Sequence, residues 1–166
     1  TDTYDDYDRQ MDANGRRMAL LRRYAREELY ELFIKRGERI GKPLTDPFNN
    51  ALSDRWKQEV EHIDLEMVAD ALGTAQAEHV NNSGWDPLYD GGFDALEVLA
   101  ATTALKATFP ALGDPVQVQA WQEGLDRIES EVDAQYETGR SPFRVNAWCF
   151  ASLDQLNDET IDLPDT

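Results

Sequence analysis

One cysteine, two histidines and four lysines are all that 166 residues contain of the side chains most used for disulfides, transition-metal ligation and flexible positive charge. A lone Cys149 excludes an intramolecular disulfide and, with no Cys neighbours, a metal knuckle, so a reducing compartment is the expectation. The serines and Cys149 have only His62 and His79 to draw on as bases, which leaves nucleophilic catalysis without a foothold. No glycine-rich loop is present to cradle a phosphate. Long apolar runs are missing too. The longest nearly uncharged stretch, Val98 to Gly113, is interrupted by Lys106 and Pro110 and falls short of the ~20 residues a membrane span requires. No secretory signal pattern precedes it, and there is neither an internal repeat nor a low-complexity tract. Neither membrane contact nor a cofactor is expected.

What is present is an apolar content of 41% with four tryptophans, enough for one folded domain. The net charge of −17 would indicate disorder if apolar residues were few, but charged and apolar residues interleave at helical spacing. Asp outnumbers Glu 19 to 14, and Arg outnumbers Lys 12 to four. Such a surface suits high salt and a halophilic host, where self-repulsion is screened. A GC-rich genome gives the same Arg bias without salt. Charge is also divided along the chain: residues 1–57 carry 12 basic and 11 acidic groups, residues 58–166 four and 22. Arg9, Arg16, Arg17, Arg22, Arg23, Arg26, Lys35, Arg36, Arg39 and Lys42 make a basic helix in an otherwise acidic molecule. That distribution fits charge-complementary packing, within one subunit or between neighbours. It admits nucleic acid at most locally, along the basic helix. Internal pairs at i,i+4, Arg23 with Glu27 and Glu31 with Lys35, are the simpler use of these charges.

Met18, Leu21, Ala25, Leu29, Leu32 and Phe33 recur at three and four, which predicts a helix from about Arg16 to Ile40, ended by Gly41, Lys42 and Pro43. Thr45 and Asp46 before Pro47 offer the start of a second helix that bends near Ser53 and continues to about Val80. "NNSGWDPLYDGG" reads as a loop. Phe93 to Thr108 is apolar nearly all round and is predicted to be the most buried helix, the centre of the core. Pro110 stops it, Gly113 permits a turn, Asp114 can cap the next helix, Pro115 suits its first position, and Gln117 has capping-box spacing. That helix should reach Tyr136 or Glu137. After Gly139 and Pro142, "FRVNAWCFASL" is short and rich in β-branched and aromatic residues, so a strand or extended arm fits as well as a helix. "NDETIDLPDT" reads as an acidic tail. The expectation is a mainly α protein: an antiparallel bundle of four to five helices over residues 1–140, then an extended arm and acidic tail over residues 141–166.

His62 and His79 each stand three places after Glu59 or Gln76, the spacing of the Glu-x-x-His pairs of di-metal helical bundles. On one straight helix at ~100° per residue, Glu59, His62, Glu66 and Asp70 share a face opposite the apolar arc of Val60, Met67, Val68, Ala71, Leu72 and Ala75. His79 then lies ~100° away from His62 and cannot share an ion with it. No second Glu-x-x-His exists. The reading is a solvated acidic stripe, with Glu59, Glu66 and Asp70 as interface candidates, and an unspecific surface site for a hard cation as the alternative.

Glu28-x-x-Glu31 and Glu61-x-x-Asp64, on two consecutive predicted helices, resemble the paired acidic motif of the all-α nucleoside triphosphate pyrophosphohydrolases. That resemblance implies four carboxylates holding magnesium ions against the substrate's phosphates, a clamp on developing charge. The same spacing also occurs at Asp5 and Asp8, Asp94 and Glu97, Glu123 and Asp126, and Asp126 and Glu129.

From Phe93 to Glu137 the chain runs through an alanine- and leucine-rich helix ending in Phe109-Pro110, then Gly113-Asp114-Pro115, Gln117, Gln119, Trp121 and a long charged helix to Asp133 and Tyr136. This stretch, about a quarter of the chain, resembles the head-tail adaptor (connector) proteins of tailed viruses. "IGKPLTDP" resembles that family's early turn. The resemblance implies a virion protein, assembled in the host cytoplasm, whose copies form a ring beneath the portal and join capsid to tail or neck. No residue is then catalytic. The interface candidates are Arg16, Arg17, Arg22, Arg23 and Arg26, the acids Glu59, Glu66 and Asp70, and the aromatics Phe143, Trp148 and Phe150 as anchors. The same aromatics can instead close the protein's own core. A third class, an acidic inhibitor that mimics nucleic acid, is compatible with the charge of the second half.

Overall fold

The computed structural model describes residues 2–44, 46–50, 55–78 and 84–163, the side chains of residues 2, 3, 5 and 65 excepted. Thr45, Ser53, His79 and Val80 lie outside the described residues. Among the described residues the chain is mainly helical and contains no strand.

The helix predicted from Arg16 to Ile40 is two helices, α1 (Asp2–Tyr24) and α2 (Arg26–Arg39). Between them Ala25 leaves helical geometry, at φ −139° and ψ 59°. Neither proline nor glycine causes the break. The Thr108 hydroxyl donates to the Tyr24 carbonyl at 2.7 Å, and the Tyr24 ring meets Trp56 and Phe109 edge-on at 5.0 and 5.4 Å. A side chain inserted into the backbone ladder is a sufficient cause of a kink. α2 ends at Gly41 as the sequence predicts.

The second predicted helix is divided as well. α3 (Arg55–Val60) carries Trp56 to Phe109, with ring centroids 5.7 Å apart, and a turn at Glu61 and His62 separates it from α4 (Leu65–Glu78). Asp64 restarts the helix, its carboxylate accepting the Met67 N–H at 2.8 Å as an N-cap. The continuous helical face inferred for Glu59, His62, Glu66 and Asp70 is therefore corrected: the first two precede the break and the last two follow it.

α5 (Asp86–Ala101) begins before Phe93, with Pro87 in its first turn, and absorbs Gly91 and Gly92 that read as loop. Tyr89 and Phe93, one turn apart, stack at 6.4 Å. Thr102 ends it. Its buried hydroxyl donates back to the Val98 carbonyl at 2.6 Å, and the chain continues in 3-10 segments at Thr103–Ala107 and Pro110–Gly113.

α6 (Pro115–Glu137) has the ends the sequence predicts. The Asp114 carboxylate accepts the Val116 N–H at 2.9 Å, while Asp114's own N–H goes to the Ala111 carbonyl, so a capping-box return from Gln117 is not used. At the far end Gly139 takes φ 74°, and the Arg140 N–H reaches the Gln135 carbonyl in a Schellman closure. α6 forms the centre of the core, and α5 does not. Trp121, Leu125, Ile128 and Val132 are buried on α6, against only Phe93 and Ala100 on α5. The reason is position: α6 lies against both α5 and α7.

Residues 142–159 form α7 (Pro142–Glu159), which corrects the extended arm. Val145, Cys149 and Leu156, with Trp148 and Leu153 alongside, bring a helical stripe into the same core as α6. Burying such a side chain contributes ~1.5–3 kcal/mol, against ~0.5 kcal/mol of helix propensity lost per β-branched or aromatic residue. The acidic tail is tied down as far as it is described. Ile161 is buried, and the Asn157 side chain exchanges two hydrogen bonds with the Leu163 backbone at 3.0 and 2.9 Å. Among the described residues no helix is long and apolar enough to cross a membrane.

Candidate functional site

The basic residues of α1 and α2 divide into those the fold uses and those it leaves. Arg16 clips α1 to α5, donating to the Gly91 carbonyl at 2.9 Å and standing 3.4 Å from the Asp94 carboxylate. Arg23 lies 3.9 Å from Glu59, which Arg55 approaches at 3.0 Å. The expected Arg23–Glu27 pair is absent, because the kink at Ala25 interrupts the register between them; the Glu31–Lys35 pair forms at 3.6 Å. Arg17 donates to the Asn14 side chain at 3.3 Å. Arg22 and Arg26 differ. They flank a groove of about 360 Å³ whose other walls include Leu29, Tyr30, Phe33 and Phe48. Among the described residues neither arginine has a carboxylate partner. Tyr30 packs on Phe48 at 5.4 Å and donates its hydroxyl to the Asp46 carbonyl, which holds the 46–48 segment against α2.

The acidic candidates stand apart from one another. Glu66 and Asp70 are exposed one turn apart on α4, while Glu59 is engaged by Arg55 and Arg23. Among the described residues no three His, Cys, Asp or Glu side chains come together to hold a metal ion. Glu28, Glu31, Glu61 and Asp64 are all described, and no three of them come together. Asp64 spends an oxygen on capping α4, Glu31 pairs with Lys35, and Glu61 sits in an exposed turn beside His62.

The three aromatics of the supposed arm separate. Phe143, 82% exposed, stands on the first turn of α7, and Trp148 packs half-buried against the core. Phe143 and Phe150, with Trp85, border a groove of about 680 Å³ between α7 and the small-residue side of α4, Ala69, Gly73 and Ala77. α4 thereby turns Met67 and Val68 outward. Met67 is 53% exposed, Val68 is exposed too, and no described α4 side chain is buried. The apolar arc read from the wheel does not support the core, because the break before Asp64 rotates α4 independently of α3.

One feature went unread in the sequence: an acidic face shared by α5 and α6. Burial, then Asp126 and Asp94, raises the Glu97 carboxyl above its ordinary value. Burial, then Glu97 and its neighbours, does the same for Glu129. The Asp94/Glu97 and Asp126/Glu129 spacings were visible, but not that the two helices lie side by side. Beneath this face Tyr89 donates to the Asn146 side chain, and burial beside Tyr136 raises its hydroxyl. Burial alone pushes the Cys149 thiol up to about 11, so it stays protonated and unreactive at neutral pH. The described residues thus offer surfaces and grooves. No family model, no curated protein and no solved structure matches this chain.

Proposed function

We propose that the chain is a structural protein of the virion, a head-tail adaptor whose copies assemble in a ring between portal and tail in a virus of a halophilic host. One observation carries the reading. The core is complete without α4 and without the first half of α1, yet both carry large apolar side chains at the surface. Surfaces of that kind mark contacts with other chains. We read the helices as an antiparallel bundle that presents these two elements, with assembly in the host cytoplasm. The test is to mix the protein with the portal protein of the same virus, at high salt, and to image the complex. A ring of copies seated on the portal is the expected result. A strict monomer that leaves the portal bare overturns the proposal, as does magnesium-dependent triphosphate hydrolysis that is lost in Glu61→Gln.

A second reading, an acidic inhibitor that mimics nucleic acid, is favoured by the acidic face of α5 and α6. It requires the protein to displace DNA from a basic partner, and failure to compete removes it.

A further inference from the structure

The first three turns of α1 project an apolar stripe that the fold does not cover. Tyr4, Tyr7 and Met11 are 78%, 62% and 71% exposed. They stand at spacings of three and four, on the same stripe that delivers Met18, Leu21 and Ala25 to the core further along. Acids surround them: residues 2–12 contain five aspartates and one arginine, net −4.

The end of α1 and the α2 segment beyond the break at Ala25 have complementary character. Residues 22–42 contain seven basic and four acidic side chains, net +3. Within them lies the apolar groove of Leu29, Tyr30, Phe33 and Phe48, flanked by Arg22 and Arg26, which have no carboxylate partner among the described residues. Tyrosine and arginine are the residue types that most often anchor interfaces.

We propose that the N-terminal turns of α1 in one copy dock into this groove of a second copy, Tyr4, Tyr7 and Met11 meeting the apolar walls while the surrounding aspartates face Arg22 and Arg26. The inference rests on the ring-forming reading and names its contact. A chain cannot satisfy itself, because α1 is one continuous helix and Tyr7 stands ~22 Å along it from Arg22. Two tips repel each other at −4 apiece, and two grooves at +3, so symmetric pairing is opposed and tip-to-groove pairing is favoured. A contact between two different surfaces propagates from copy to copy and closes into a ring or extends as a filament.

The experiment is mass measurement of the full chain, alone and on the portal, both near physiological salt and at high salt. Tyr4→Ser with Tyr7→Ser and Met11→Ser touches no core residue and should weaken assembly by about tenfold or more. Arg22→Glu with Arg26→Glu, and separately Asp8→Arg with Asp12→Arg, should each abolish assembly while circular dichroism stays helical. An equimolar mixture of these two chains should assemble again, since an unaltered tip then meets an unaltered groove and the tip arginines at 8 and 12 meet the groove glutamates at 22 and 26. The proposal is overturned if the reversed chains assemble as the native chain does, or if the mixture stays monomeric with both folds intact. If the native chain assembles and the variants do too, only this contact fails and the ring survives. If the native chain is monomeric both alone and on the portal, the ring reading fails with it.

Discussion

α4 and α6 are amphipathic helices opened by an aspartate N-cap, and α4 is the richer in apolar residues, yet α6 forms the core and α4 has no buried side chain among those described. The difference lies in which side each residue size occupies. α6 sets Trp121, Leu125, Ile128 and Val132 along the side that faces α5 and α7. α4 sets alanines and a glycine on the side that faces α7, and Met67 and Val68 on the side that faces away. Apolar content therefore does not decide burial; the register of large residues against available neighbours does.

Truncation should separate the two helices most. Leu125→Ala is expected to cost ~2–5 kcal/mol through lost burial and a cavity. Met67→Ala or Val68→Ala should stay within ~0.5 kcal/mol in the isolated chain. Urea unfolding midpoints measure both, and equal losses would remove the contrast.

The glycines sharpen it. A Cβ on Gly124 would sit 2.3 Å from Leu156, so Gly124→Ala should wedge α7 outward at ~1–3 kcal/mol. A Cβ on Gly73 meets nothing within 4 Å, so Gly73→Ala should stabilise α4 by up to ~1 kcal/mol. A lower thermal midpoint for Gly124→Ala, and slower hydrogen exchange across α4 with an unmoved midpoint for Gly73→Ala, are the expected outcomes.

Caps give a smaller effect with a different readout. Asp114→Ala should lower global stability by ~1 kcal/mol. Asp64→Ala removes the same kind of bond, yet should only speed hydrogen exchange across α4 and leave the global midpoint in place, because α4 opens by itself.

The smallest effect is pH. Glu97 and Glu129 have raised carboxyl values in the folded state, so between the ordinary value and the raised one the folded chain holds protons that the unfolded chain has released. Stability should therefore rise as pH falls from neutral into that window. Glu129→Gln should flatten the rise.

Legibility followed the range of the interactions. Both ends of α6 could be read because Asp114, Pro115 and Gly139 act on their own neighbours. The kink at Ala25 could not, since the Thr108 hydroxyl that holds it lies 84 residues away. α7 is obscure in the sequence because its stripe of Val145, Cys149 and Leu156 runs among β-branched and aromatic residues, and nothing local indicates that Gly124 leaves room for Leu156. In the sequence Asp64 stands in an acidic pair at ligand spacing, and only the break ahead of α4 shows that its role is to start that helix. The arginines were visible as a basic helix. Which of them remain unspent depends on Gly91 and Asp94 taking Arg16 and on Glu59 facing Arg23, and those pairings exist only in the folded chain.

The clip between Arg16 and the Gly91 carbonyl makes α1 a lever. The turns ahead of it reach ~20 Å, so a tilt of about 10° at the clip swings the tip through ~3.5 Å. Were copies to dock tip to groove as proposed, a small adjustment at this joint would be magnified into the angle between successive copies.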